Sequence, residues 1–393
     1  MTLAPETEYT NRLDRVQAAM ADHGFAALVV SDPANIYYLS GYDAWSFYVP
    51  QCLVVPASGE LHFFGRAMDA AGAASISALR PDQVHGYPEE LVQRPDRHPF
   101  DWVVDAARAV DLLADDPAWS IAVESDAHHF SVRSYLALTS GLPRASVVDS
   151  DELVNWVRLV KSDHEISRMR IAGTIAERAM QTALAEIAEG RRQCDVAAEI
   201  LAAQARGTPE HGGDYPALVP MLPTGDSAGT PHLTWSDQPF VAGEATTVEL
   251  AGAYERYHVP LARTIMLGTP PRRLLELALV VAEGMAASLD ALVPGVTGHE
   301  VHAAFNAVIN RHGFTKESRI GYSIGIGYPP DWGERTVSLR PKEEAVMQRG
   351  MALHVILGMW MDGWGYELSE PVVVTASGAE RLTYLPQELT VRT

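Results

Sequence analysis

Cysteine is nearly absent from this 393-residue chain, which carries only Cys52 and Cys194. Two distant thiols without CxxC spacing supply neither a disulfide framework nor a thiolate zinc site. Cations are also scarce. Lys and Arg number 30 against 50 Asp and Glu, a formal charge of −20, which argues against nucleic acid or anionic membrane as a partner because polyphosphate binding needs clustered basic side chains. No stretch offers ~20 uninterrupted apolar residues. The opening MTLAPETEYTNRLDR lacks a basic region followed by an apolar run, so the expectation is a cytoplasmic protein. Low-complexity tracts and repeats of solenoid period are missing as well.

What remains is ordinary globular material. An apolar content of 47% over 393 residues suffices for two domains and a large core. Glu8 to Asp22 places Leu13, Val16 and Met20 at helical spacing and stops at Gly24, a C′ glycine. Ala26 to Val30 reads as a buried strand, and Gln51 to Val55 with Glu60 to Gly65 as a hairpin turning at Ser58-Gly59. Helices near Met68 to Ala78 and Phe100 to Leu113 alternate with strands at Ser120 to Glu124 and Ser146 to Val148, which implies a sheet covered by helices. The intervening stretch NIYYLSGYDAWSFYVPQC is unusually aromatic. Core packing is the first expectation for its Trp45, Phe47 and Tyr48.

A boundary falls at Val157 to Asp163, where Ser162-x-x-Glu165 forms a capping box. The long helix that it opens has Ile166, Met169, Ile175, Met180, Leu184 and Ile187 on its apolar side and is expected to end at Gly190. Further helices are expected at Asp195 to Arg206, Arg272 to Leu292 and His299 to Arg311. Between them lies Thr247 to Gly268, TVELAGAYERYHVPLARTIMLG, which reads as a hairpin turning near Gly252 to Glu255 and returning over Ala262 to Leu267. Alternation puts Glu249 on the face opposite Val248 and Leu250. A carboxylate there is either a paired or solvated strand residue or a functional one, since carboxylates are seldom buried alone.

This hairpin resembles the signature of the pita-bread superfamily, which holds prolidase, methionine aminopeptidase and creatinase. The resemblance runs from Glu8 to the end. It implies an α/β N-terminal domain over residues 1–160 and an α+β pita-bread catalytic domain over 161–393. It also exposes a deficit. Where metal-dependent members place two aspartates on the hairpin, this chain has Glu249 and Pro260. Tyr322, in Gly321-Tyr322-Ser323-Ile324-Gly325, stands where the ligand histidine belongs, and the glutamate of the G-M strand is replaced by Ile356. The last ligand matches Glu370 in SEPVVVT. Catalytic metal sites need at least three converging donors, so no metal and no cofactor is expected. His211, His258 and His354 match no ligand spacing.

Creatinase also works without metal, using a histidine and acids on a carbon–nitrogen bond, and His232 in GTPHLTW matches the histidine kept in that region. Ala262 and Ile356 occupy two creatinase acid positions, which disfavours creatine. The loops at His211 to Pro216, Pro231 to Trp235 and Tyr328 to Arg335, taken with GYDAWSFYVPQC and the hairpin, closely resemble the ectoine hydrolases, a family within the superfamily. That resemblance implies metal-independent opening of a cyclic amidine, with a small zwitterion as substrate: ectoine, with its hydroxylated form hydroxyectoine as the second candidate. In this reading Glu249, His232 and Glu370 carry the chemistry and Glu255 is a rival acid in a solvated turn. Arg335 would hold the substrate carboxylate, and Trp235, Tyr322 and Trp332 would wall the amidinium. Tyr257, His258 and His354 complete the substrate-binding set. By analogy with creatinase-like homodimers, Trp45, Phe47 and Tyr48 would reach the partner's site. An Xaa-Pro peptidase, opposed by Pro260, Tyr322 and Ile356, and a non-enzymatic binding module are the competing readings.

Overall fold

The computed structural model describes residues 3–393. The chain divides into two compact units, one ending at Arg158 and one beginning at Leu159.

In the first unit, α1 (Glu6–His23) is stopped by Gly24 at φ 70°, followed by β1 (Ala27–Val30), α2 (Pro33–Ser40), β2 (Cys52–Pro56), β3 (His62–Arg66), α3 (Ala67–Ile76), β4 (Val84–Tyr87), α4 (Pro99–Ala109), β5 (Ser120–Val123), α5 (Val132–Gly141), β6 (Ser146–Asp149) and α6 (Leu153–Arg158). The sheet order is β4-β3-β2-β1-β5-β6. Phe100, Val103, Val104, Ala107 and Leu138 of the covering helices pack on Val29, Val54, Phe64 and Val123 of the sheet. Part of the aromatic stretch is the helix α2, capped by Asp32, whose side chain accepts from the Ala34 N–H. Core packing describes Phe47 but not its neighbours: Trp45 is 58% and Tyr48 62% exposed.

The second unit begins with α7 (Asp163–Glu186), whose capping box uses Ser162 and Glu165. This helix ends before Ile187 rather than at Gly190. It is followed by α8 (Gln193–Arg206), the hairpin β7 (Ala245–Tyr254) and β8 (Tyr257–Leu267), α9 (Arg272–Ala291), α10 (Gly298–Arg311), β9 (Gly321–Tyr328), β10 (Asp331–Ser338), β11 (Ala352–Met361), β12 (Trp364–Thr375), β13 (Gly378–Arg381) and β14 (Thr390–Arg392). Strand order is β13-β12-β11-β9-β8-β14, with β7 added to β8 and β10 to β9. Apolar faces of α7 and α8 pack on Val248, Leu250, Leu261 and Ile265. The α9–α10 pair packs on Leu353, Val355, Leu368 and Val372. Helices thus back the sheet and leave its other side for a site. Among the described residues, no helix is long and apolar enough to cross a membrane.

The hairpin turn is later than the sequence suggested. The strands pair through Tyr254 and Tyr257, so the turn consists of Glu255 and Arg256, both at positive φ (46° and 63°), as a two-residue hairpin loop requires. Gly252 lies inside β7 for a packing reason: a Cβ there would overlap the Ala172 carbonyl oxygen of α7. Glu255 is not solvated either, because it pairs with Arg168 at 2.9 Å.

Candidate active site

Glu249 leaves the core on the odd face of β7. Val248 and Leu250 are fully buried under the helices, and the strand period of two sends the intervening side chain the other way. Both backbone groups of Glu249 are tied to Met221: its N–H donates to the Met221 carbonyl at 3.1 Å and its carbonyl accepts from the Met221 N–H at 2.8 Å. The carboxylate enters a cavity of about 430 Å³, lined also by Leu218, His232, Lys316, Arg319, Tyr322, Asp331, Trp332, Ile356 and Glu367. That volume falls within the ~300–1,000 Å³ usual for small-molecule sites.

The electrostatics follow from burial. Loss of solvent, and secondarily the nearby Asp331 charge, pushes the Glu249 carboxyl up to about 7. Glu367 is raised well above the usual carboxylate range by burial and then by Glu249, with Lys316 pulling it back. Lys316 is pressed down to about 8 by burial, against the attraction of Glu367. Its ammonium donates to Ser318 Oγ at 2.9 Å and to the Gly358 carbonyl. Arg319 lies over the Tyr322 ring at 4.4 Å from its centroid, and Trp332 Nε1–H donates to Tyr322 Oη at 2.9 Å. His232 holds φ 64°, a left-handed conformation uncommon outside glycine and frequent at functional sites. One cavity therefore collects acids, cations and an aromatic wall.

Of the residues singled out in the sequence, Glu249, His232, Tyr322 and Trp332 line this cavity. The others do not, and each has a physical reason. Glu370 is committed elsewhere: Oε1 accepts from Arg263 Nη2 at 2.7 Å and Oε2 from Arg381 Nε at 2.9 Å and Thr383 Oγ1 at 3.2 Å. Strand parity explains it, since Glu367 and Ser369 share one face of β12 and Glu370 has the other. Arg335, at φ 54°, falls where the β10–β9 register shifts between Gly333 and Ser338, and Arg319 supplies the guanidinium instead. Trp235 packs against the α7–α8 apolar cluster. His258 uses both ring nitrogens on backbone, Nε2 accepting from Ala217 N–H and Nδ1–H donating to the Arg256 carbonyl, each at 2.8 Å. Tyr257 donates to Glu165 Oε1 at 3.0 Å. His354 is buried behind Tyr322, 3.1 Å from its hydroxyl. Trp45 and Tyr48 belong to the first unit.

Lys316, Arg319, Asp331 and Glu367 were missed. Lys316 and Arg319 sit in TKESRIG, which reads as a solvated loop, and Asp331 lies in a proline-flanked turn. The one available signal was that this loop immediately precedes the strand bearing Tyr322.

The model of metallopeptidase family M24 matches residues 167–376, more than half of the chain. The chain belongs to metallopeptidase family M24. A second model, the creatinase/prolidase N-terminal domain, matches residues 12–160, so the fold is the pita-bread architecture preceded by a creatinase-type domain. Among M24 relatives, the protein named ectoine hydrolase from Halomonas elongata is 42% identical, covering 98% of this chain and 97% of its own. An Xaa-Pro dipeptidase from Pyrococcus furiosus is 26% identical over 96% of this chain and 99% of its own. The crystal structure of dipeptidase PepE from Mycobacterium ulcerans superposes with a TM-score of 0.82, at 25% identity, covering 99% of both chains.

The donor set that an M24 metal pair needs is incomplete here. Pro260, opposite Ala251 on the hairpin, has no donor atom, and Ile356 is apolar. Tyr322 is held protonated by burial, its hydroxyl raised well above its ordinary value. Among the described residues, no three or more His, Cys, Asp or Glu side chains converge as a metal site. Lys316 and Arg319 bring positive charge of their own to the cavity.

Proposed function

We propose that this chain hydrolyses ectoine without a bound metal, opening the cyclic amidine to N-acetyl-2,4-diaminobutyrate. The observation that carries the reading is the buried Glu249 carboxyl sharing one cavity with Lys316 and Arg319. Ectoine is a zwitterion, an amidinium ring bearing a carboxylate, and this cavity holds both complementary charges. The 42% identity to the Halomonas elongata relative over nearly the whole chain supports the same substrate.

The amidinium carbon already bears delocalised positive charge, so it is electrophilic without a Lewis acid, and a cation beside it would repel it. A carboxylate about 4 Å away gains roughly 4 kcal/mol at an effective dielectric of about 20. Glu249 either bonds to the ring carbon itself or takes a proton from the water that does. The carbon–nitrogen bond then breaks, and His232 passes a proton to the departing nitrogen. Water is consumed overall, and an amide and an amine are formed. Arg319, with its planar fork of donors, holds the substrate carboxylate, while Trp332 and Tyr322 form the wall against the ring. The enzyme works as a cytoplasmic homodimer in this reading, with exposed Trp45 and Tyr48 meeting the partner subunit.

The test is incubation of exhaustively chelated protein with ectoine, hydroxyectoine, creatine and an Ala-Pro dipeptide, followed by mass detection. Ectoine should gain one water. Activity lost on chelation and restored by Mn, Co or Zn would refute the metal-free mechanism. Cleavage of Ala-Pro alone would refute the substrate, and binding without turnover would make the chain a binding module.

A further inference from the structure

Behind the cavity wall lies a buried chain of hydrogen bonds that the chemistry above does not use. Tyr322 Oη accepts from the Trp332 indole N–H at 2.9 Å. On the far side, Ser369 Oγ accepts from the Ala262 amide N–H at 2.6 Å. His354 bridges the two hydroxyls, with Nδ1 3.1 Å from Tyr322 Oη and Nε2 2.7 Å from Ser369 Oγ. Both ends are therefore fixed by groups that only donate.

Burial presses the His354 ring down to about 3, so it is neutral and carries one N–H. If that hydrogen were on Nε2, Ser369 Oγ would accept twice, from Ala262 and His354. Its own hydrogen would then face no acceptor at a position with no solvent exposure, an arrangement folded proteins avoid. With the hydrogen on Nδ1, Ser369 O–H donates to Nε2, and every hydrogen of the His354–Ser369 pair has an acceptor. Tyr322 Oη then accepts from both Trp332 and His354, and its own hydrogen has no direction left but the cavity that Tyr322 lines.

We infer that Tyr322 donates a hydrogen bond to the ring nitrogen that leaves the reacting carbon, and that His354, through its Nδ1–H tautomer, is the positioning residue that aims it. This deepens the proposed function and rests on it. In the bound amidinium both ring nitrogens carry hydrogen and their electron pairs are delocalised, so neither accepts. Once the new bond to the carbon forms, the nitrogen regains a lone pair, and a waiting O–H stabilises only that later state, which raises kcat rather than tightening substrate binding. The hydroxyl keeps its proton throughout. That single lone pair takes one hydrogen at a time: the Tyr322 hydrogen bond acts while the new bond to carbon forms and is released when His232 delivers its proton to the same nitrogen.

Two measurements test this. Tyr322→Phe should lower kcat about 10²- to 10³-fold, the usual loss for one preorganised donor, with KM little changed. His354→Asn, whose amide can sit near the Nδ1 position, should retain most of kcat, whereas His354→Gln, reaching toward Nε2, should fall with Tyr322→Phe. Independently of turnover, ¹⁵N NMR of histidine-labelled protein should show the His354 resonance, identified by its loss in His354→Asn, as the Nδ1–H tautomer. An Nε2–H tautomer, an unchanged kcat in Tyr322→Phe, or an effect confined to KM overturns the inference. An Nδ1–H tautomer in a protein that ignores ectoine would instead refute the substrate and leave the direction of the hydroxyl standing.

Discussion

Replacing Glu249 by Gln should make the protein more stable, and only above a defined pH. The substitution keeps the shape of the side chain and removes its charge. In the folded state the carboxyl titrates at about 7 against an ordinary value of 4.5, because burial, assisted by Asp331, opposes ionisation. A raised folded value means that the protonated form is favoured by folding. The native protein therefore has its full stability below about 4.5 and loses this contribution as pH rises through about 7. The difference of about 2.5 units corresponds to ~3 kcal/mol at 1.36 kcal/mol per unit. Urea unfolding of both proteins at pH 5 and pH 8, following the second unit, reads this directly. Glu249→Gln should gain about 3 kcal/mol at pH 8 and only a fraction of that at pH 5, while losing ring-opening activity. Equal stability at pH 8, or a gain that grows toward acid, would show that Glu249 is not a desolvated carboxylate. A more stable, inactive variant is the pattern expected where a strained site is kept for function.

The same group should shape the pH profile: kcat/KM for ectoine should fall roughly tenfold per unit below about pH 7, as the free carboxylate protonates. In kcat that limb should lie roughly three units lower, since an amidinium about 4 Å away stabilises the carboxylate by roughly 4 kcal/mol; coincident limbs would contradict this. Arg319→Met should raise KM about 10- to 100-fold with little change in kcat, matching the ~1.5–3 kcal/mol of a hydrogen bond to a charged group, and an unchanged KM would remove Arg319 from carboxylate binding.

Much of this protein is written in local patterns. The capping box at Ser162, the glycine stop at Gly24 and the alternation around Glu249 are short-range facts, decided by hydrogen-bond geometry and the period of the strand. They place the helices, the hairpin and the inward acid. The absence of metal donors at Pro260 and Ile356 is equally local, because a side chain without a lone pair cannot ligate in any fold.

Other choices belonged to tertiary structure. β12 is buried on nearly all of its length, so no alternation of polarity tells which of Glu367 and Glu370 faces the cavity; the arginines of β8 and β13 claim one and leave the other. Gly252 resembles a turn residue until α7 is laid across it. Arg319 and Arg335 are equally competent guanidinium groups in sequence, and only the register shift in β10 separates them. The hydrogen on His354 is the furthest removed from local pattern, since Trp332, Ala262 and Ser369 come from three different strands and meet only when the sheet is formed. Periodicity and capping act between neighbours and so survive in the string of residues. Partnership between distant charges and hydroxyls exists only after folding has removed water from between them.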